Sequence, residues 1–116
     1  MDSILNTIKK KLGLDNDYNA FDEDVIVDIN TAFFKLRQLG VGPNRGFRIT
    51  SDEETWSDFI EDEEMVEAVK DYIYYEVKQV FDPPTSSFVM DSLAKKAEEL
   101  EWRLNVLAEG GEASGW

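Results

Sequence analysis

The sequence predicts an all-α fold: a small helical bundle of about five helices, with one long loop carrying a short extended segment. Three observations lead there. Apolar residues recur at helical spacing through most of the chain. The stretches between those segments are dense in glycine, proline and aspartate, as turns are. Phe47-Arg48-Ile49-Thr50 is the one candidate strand, and it is too short to build a sheet.

The first helix is amphipathic. Ile4, Leu5, Ile8 and Leu12 share a face, Asp2 or Ser3 can cap it, and Gly13 can end it in the left-handed region. Lys9, Lys10 and Lys11 lie near its C-terminus, where cations complement the helix dipole. A membrane-surface anchor is the sharper reading of those lysines, but the segment is short and the chain acidic, so it is set aside. Asp15 and Asp17 begin like a calcium loop. The sixth position is Ala20 where glycine is needed and the twelfth is Ile26 where glutamate is needed, which excludes that reading.

Asp22 is expected to cap the second helix, with Phe21 stapled onto Ile26. Val25, Ile29, Ala32, Phe33, Leu36 and Leu39 form its inner face. Val27 and Phe34 fall on the opposite face, which fits either a helix sandwiched between neighbours or a subunit contact. Residues 40–46 are turn-rich. Their glycines match neither phosphate-loop spacing and no lysine follows, so a structural loop is expected. It carries Arg45 and Arg48, either as a projecting arm that pairs with a neighbour's carboxylates or as a solvated loop.

Ser51 with Glu54 reads as a capping box for a short helix whose apolar side is Trp56, Phe59 and Ile60. Glu61, Asp62, Glu63 and Glu64 suit the N-terminus of the next helix. Consecutive carboxylates on a helix diverge, so they predict a solvated cap and no metal site. From Met65 to Phe81 the arc of Val66, Val69, Ile73, Val77 and Val80, widened by Met65 and Tyr72, marks the central core helix. Glu76 falls inside that arc and therefore needs a cationic or hydrogen-bonding partner, in the fold or across an interface. Tyr74 and Tyr75 lie toward the polar side, where phenols suit contacts with another chain.

Pro83 and Pro84 forbid one continuous helix and make a hinge. Ser86 or Ser87 can cap the last helix, whose stripe is Val89, Leu93, Ala97, Leu100, Leu104 and Leu107. Trp102 and Val106 project from its reverse face, as binding anchors do, unless they pack on the first helix. A single domain over residues 1–108 is expected, followed by a flexible C-terminal tail over 109–116 that ends in Trp116.

The 116 residues can bury about two thirds of the unfolded surface in one core. A net charge of -13 repels a phosphate backbone and disfavours nucleic-acid binding by an outer face. Cysteine and histidine are absent, which removes thiolate chemistry and the commonest acid–base residue. Apolar Ile4 and Leu5 precede the lysines, the reverse of a secretory signal, and no apolar run approaches the roughly 18 residues of a membrane span. A cytoplasmic protein without cofactors is expected.

A family resemblance runs over nearly the whole chain. It is carried by Asp28-Ile29-Asn30, Gln38-Leu39-Gly40-Val41-Gly42-Pro43, Gly46-Phe47-Arg48-Ile49-Thr50 and Trp56-Ser57-Asp58-Phe59. It continues through Ala68-Val69-Lys70-Asp71-Tyr72-Ile73-Tyr74, Phe81-Asp82-Pro83-Pro84-Thr85-Ser86-Ser87-Phe88 and Glu101-Trp102-Arg103-Leu104-Asn105. In this order and spacing the chain resembles the head–tail connector, or adaptor, proteins of tailed bacteriophages and prophages, which often carry the label of DNA packaging proteins.

The resemblance implies a helical subunit of a ring, dodecameric when assembled, beneath the portal protein after the head is filled. Such a ring extends the DNA channel and docks the next head-completion or tail protein. Its place would be the host cytoplasm during assembly and then the head–tail junction of the virion. DNA would only pass through, with no sequence-specific contact and no membrane partner. Carried over residue by residue, Trp102, Val106 and Trp116 become expected portal contacts. Residues 42–50 become an inter-subunit arm; together with the residues singled out above from helical patterning, the expected subunit interface comprises Val27, Phe34, Arg45, Phe47, Arg48, Tyr74 and Glu76. A negative channel wall would keep DNA from adsorbing in transit.

Two other classes compete. The charge alone also permits an acidic, non-catalytic regulator that captures a basic partner or mimics nucleic acid. An enzyme would have to rely on paired carboxylates such as Glu76 with Asp71.

Overall fold

The computed structural model describes residues 3–113, with side chains as far as Glu109. Five helices follow one another: α1 (Ile4–Lys11), α2 (Asp22–Gln38), α3 (Trp56–Phe59), α4 (Glu63–Phe81) and α5 (Ser87–Ala113). No strand forms among the described residues; an isolated antiparallel bridge joins Ser3 to Thr55.

α4 is the centre of the bundle, packed on α2 along one side and on α5 along the other, with α1 laid across α2 and α4. Its buried residues Val69, Tyr72, Ile73 and Val77 spread over about 140° of the helix surface, an arc wide enough to serve two neighbours. From α2 come Val25, Ile29, Ala32, Phe33 and Leu36, from α1 Ile4, Leu5 and Ile8, and from α5 Ala97 and Leu104. Each large aliphatic among them contributes about 1.5–3 kcal/mol relative to exposure.

The hinge at Pro83 and Pro84 turns the chain back on itself. Lys96 Nζ lies 5.8 Å from the centre of the Tyr75 ring, and Tyr72 donates a 2.7 Å hydrogen bond to Glu101. Moving away from the prolines, α4 residues thus meet α5 residues in step, the signature of an antiparallel pair. Asp82 ends α4 and Ser86 Oγ accepts from Val89 N–H at the start of α5.

Several local expectations shift. The N-cap of α2 is Phe21, without a side-chain cap bond, whereas the Asp22 carboxylate turns to Lys9. Phe21 stacks edge-on against Phe81, 5.3 Å between centroids, and so fastens α2 to the end of α4. Lys9 is only 1% exposed, with its ammonium 2.8 Å from Asp22 Oδ1 and donating to the Asn16 carbonyl at 3.1 Å. It ties the first connector down as well as complementing a dipole.

At α3 the capping box is Thr55 with Asp58, not Ser51 with Glu54. Glu54 instead accepts from the N–H groups of Thr50 and Ser51 and closes the turn before the helix. Burial pushes the Glu54 carboxyl up, but these bonds, with its own N–H and the Thr50 hydroxyl, outweigh burial and hold it below its ordinary value.

Two apolar stripes also end early. Val80 on α4 is 69% exposed, and Val89 and Leu107 on α5 are exposed, because the helices outrun their neighbours there. The last helix continues beyond Ala108 to Ala113. Trp116 lies outside the described residues.

The extended segment at residues 47–50 finds its partner in one side chain. Asn30 accepts from Ile49 N–H at 2.8 Å and donates from Nδ2 to the Ile49 carbonyl at 2.9 Å. The amide thus supplies both bonds that a neighbouring strand would have made, which is why Phe47-Arg48-Ile49-Thr50 forms no sheet. Ile49 is fully buried at this clamp.

Candidate functional site

The Asn30 clamp folds the long loop back over α2 and builds the most distinctive surface of the molecule. Phe47 packs edge-on against Phe33 and Phe59, with centroids 5.1 and 5.4 Å away. Gly42, at φ +94°, lets the loop pass directly over the Phe59 ring. Arg37 Nε donates to the Asn44 carbonyl at 3.1 Å and holds the loop's near end. The expected arm is therefore a strap against its own helix.

Between strap and helix runs an open groove of about 610 Å³, lined by Ile26, Val27, Asn30, Thr31, Phe33, Phe34, Arg37, Arg45, Gly46, Phe47 and Arg48. The structure brings together five of the seven expected interface residues here: Val27, Phe34, Arg45, Phe47 and Arg48. Val27 and Phe34 are 62% and 58% exposed, while Phe47 is half-buried as the groove's floor. Arg45 and Arg48 are exposed and, among the described residues, form no ion pair.

The other two lie elsewhere. Tyr74 is half-buried on α4, 5.6 Å from the Tyr75 ring. Glu76 accepts a 2.5 Å hydrogen bond from Lys35 of α2, so the partner it required is inside the fold. Asp71 sits 3.6 Å from Lys11. The two carboxylates lie about 140° apart around α4 and each faces a different lysine, so they do not assemble as a pair. Tyr72 is buried; burial first, then its hydrogen bond to Glu101 and the Glu76 charge, push the phenol far above its ordinary value and keep it a neutral donor.

A second groove, of about 600 Å³, flanks Val27 on its other side, lined by Leu14, Phe21, Asp24, Val27, Asp28, Val80, Phe81 and Asp82. Its charge is negative where the first is positive. Burial, and then repulsion from Asp24, raise the Asp28 carboxyl above its ordinary value. Sequence reasoning missed Phe21 and Val80 as surface residues, Phe21 because it was assigned to a staple on Ile26 and Val80 because it kept the apolar register of its helix.

On α5, Trp102 is 66% exposed beside the Glu99–Arg103 pair, and Val106 is half-buried. Phe88, at the start of α5, is 80% exposed. It lies off the stripe that begins at Val89, on the side of Asp91, Ser92 and Lys95. Pro83 is exposed and Pro84 half-buried at the turn. Among the described residues there is no cluster of three or more acidic side chains able to hold a metal, and no helix long and apolar enough to cross a membrane.

A helical fold with a closed core, yet with apolar and charged grooves on its outer faces, suits a component of an assembly. The family model described as phage connector protein matches residues 4–111. The chain belongs to that family. The match takes in every helix of this phage connector, from the start of α1 nearly to the end of α5. No curated protein and no solved structure gives a significant match. The phage connector family is a structural one, and membership in it points to association with portal or tail proteins at the virion's head–tail junction.

Proposed function

We propose that this connector is an adaptor subunit that assembles as a ring under the portal, extends the DNA channel and docks the next head-completion or tail protein. It would be drawn from a pool in the host cytoplasm. The observation that carries the reading is the family match over residues 4–111, on a fold that leaves Val27, Phe34, Phe88 and Trp102 at its surface. Such side chains are costly to leave wet and are typical anchors of a contact.

In this reading Trp102, Val106 and Trp116 meet the portal. Val27, Phe34, Arg45, Phe47, Arg48, Tyr74 and Glu76 serve contacts between copies, with Glu76 acting through the Lys35 it already holds. Pro83 and Pro84 set the angle at which α5 is offered. The net charge of -13 keeps the channel wall from adsorbing DNA.

The test is electron cryo-microscopy of the protein mixed with its cognate portal. A ring of copies against the portal with Asp and Glu around the lumen is expected. If no ring forms with the portal present, the adaptor reading fails; if Lys and Arg line the lumen, the charge argument alone fails. Replacing Pro83 and Pro84 with alanine should impair portal docking more than it lowers the melting temperature. The reverse order would make the hinge a folding device only.

A further inference from the structure

The outer face of α2 carries an exposed ridge, Val27, Thr31 and Phe34, with a groove on either side. One groove is rimmed by Arg37, Arg45 and Arg48, the other by Asp24, Asp28 and Asp82. The two grooves meet at Val27, which lines both. In a chain with more than twice as many acids as bases, this separation of sign across a single apolar ridge needs a reason.

We propose that the free protein pairs with a second copy about a two-fold axis through this ridge, the acidic groove of each copy lying against the arginine groove of the other. Charge complementarity selects the occupant. Arg45, Arg48, Asp24 and Asp28 have no ion-pair partner among the described residues, and each finds its opposite on an identical face. Asp28 is already strained by burial and by Asp24, and a guanidinium from the other copy relieves that strain.

Symmetry selects the mode. Complementary patches on one face satisfy each other in an isologous pair that closes at two copies. A ring instead needs its complementary patches on faces turned in nearly opposite directions. Exposed ion pairs add little affinity, so Val27, Phe34 and Val80 supply the attraction while the charges fix register. The pair is weak, because two chains of net charge -13 repel until salt screens them.

A consequence rests on the adaptor reading. The pair covers the strap and ridge offered to a ring neighbour, so free copies are withheld from ring formation until the portal engages them.

The test is sedimentation velocity of the full chain without portal, at about 0.15 M salt, from micromolar to millimolar protein. The mass should rise from 13.3 kDa toward twice that value and stop. Arg45→Glu with Arg48→Glu, and separately Asp24→Lys with Asp28→Lys, should each abolish the rise, and an equimolar mixture of the two variants should restore it. Melting curves check that both variants fold.

The chain has no cysteine, so Thr31→Cys gives a second readout independent of charge. Near a two-fold axis Thr31 faces its own copy, and mild oxidation should yield a disulfide dimer. Wild-type protein that stays monomeric throughout, a dimer that survives both charge reversals, growth beyond two copies, or a Thr31→Cys variant that does not cross-link would each overturn the proposal. None of these results bears on whether a ring forms once portal is added.

Discussion

Replacing Asn30 with alanine should release the strap. Asn30 makes two hydrogen bonds to Ile49, at 2.8 and 2.9 Å, and Ile49 is fully buried. Each such bond is worth about 0.5–1.5 kcal/mol net, and a buried group left unsatisfied costs about 1–3 kcal/mol. Partial opening of the loop to water lowers the upper figure, so the expected loss is about 2–4 kcal/mol. For a domain of this size about 4 °C of melting temperature accompanies each kcal/mol, which predicts a fall of roughly 8–16 °C. Urea denaturation followed by circular dichroism gives the free energy, and hydrogen exchange reads the Ile49 amide directly. Asn30→Asp sharpens the test, since it keeps an acceptor for Ile49 N–H and sets a carboxylate against the Ile49 carbonyl. A loss under about 1 kcal/mol with the Ile49 amide still protected would refute the clamp.

Three further predictions test the surroundings. Gly42→Ala should destabilise, because φ +94° disfavours a side chain and its Cβ would come 2.7 Å from Phe59 Cζ; an unchanged melting temperature would show that the loop can shift freely. Lys9→Met should cost about 2–3 kcal/mol by stranding Asp22, and adding Asp22→Asn should recover most of it; a double-mutant cycle with no coupling would discard the pair. Glu54→Gln should be less stable than wild type at neutral pH. The folded Glu54 carboxyl is held below its ordinary value of 4.5, so its contribution is full above that pH and is lost as the pH falls through the folded value. The difference between the two proteins should close at low pH, and a difference that is constant with pH would contradict the charge-based account.

What the sequence made legible follows from what periodicity can encode. The inner faces of α1, α2 and α4 were readable because burial repeats with the helix turn, and Val27 and Phe34 stood out by falling on the wrong side of it. Periodicity does not say where a neighbouring helix stops. Val80 and Val89 kept the apolar register yet flank the hinge on exposed turns. The caps slipped for different reasons: Asp22 was drawn off by the distant Lys9, whereas Glu54 turned to the neighbouring Thr50 and Ser51 amides and left the helix to start at Thr55.

The site was half legible. Its parts, an apolar pair on α2 and arginines on a loop, were visible, but nothing local joined them. What joins them is Asn30, one turn from both Val27 and Phe34, whose side chain faces the loop and replaces a strand. An asparagine within a helix is ordinarily neutral or unfavourable, because its side chain competes for backbone groups. Here that competition is directed at a distant segment. A residue poorly suited to a helix interior is the one that brings Arg45 and Arg48 over the ridge, and so turns a connecting loop into half of a surface.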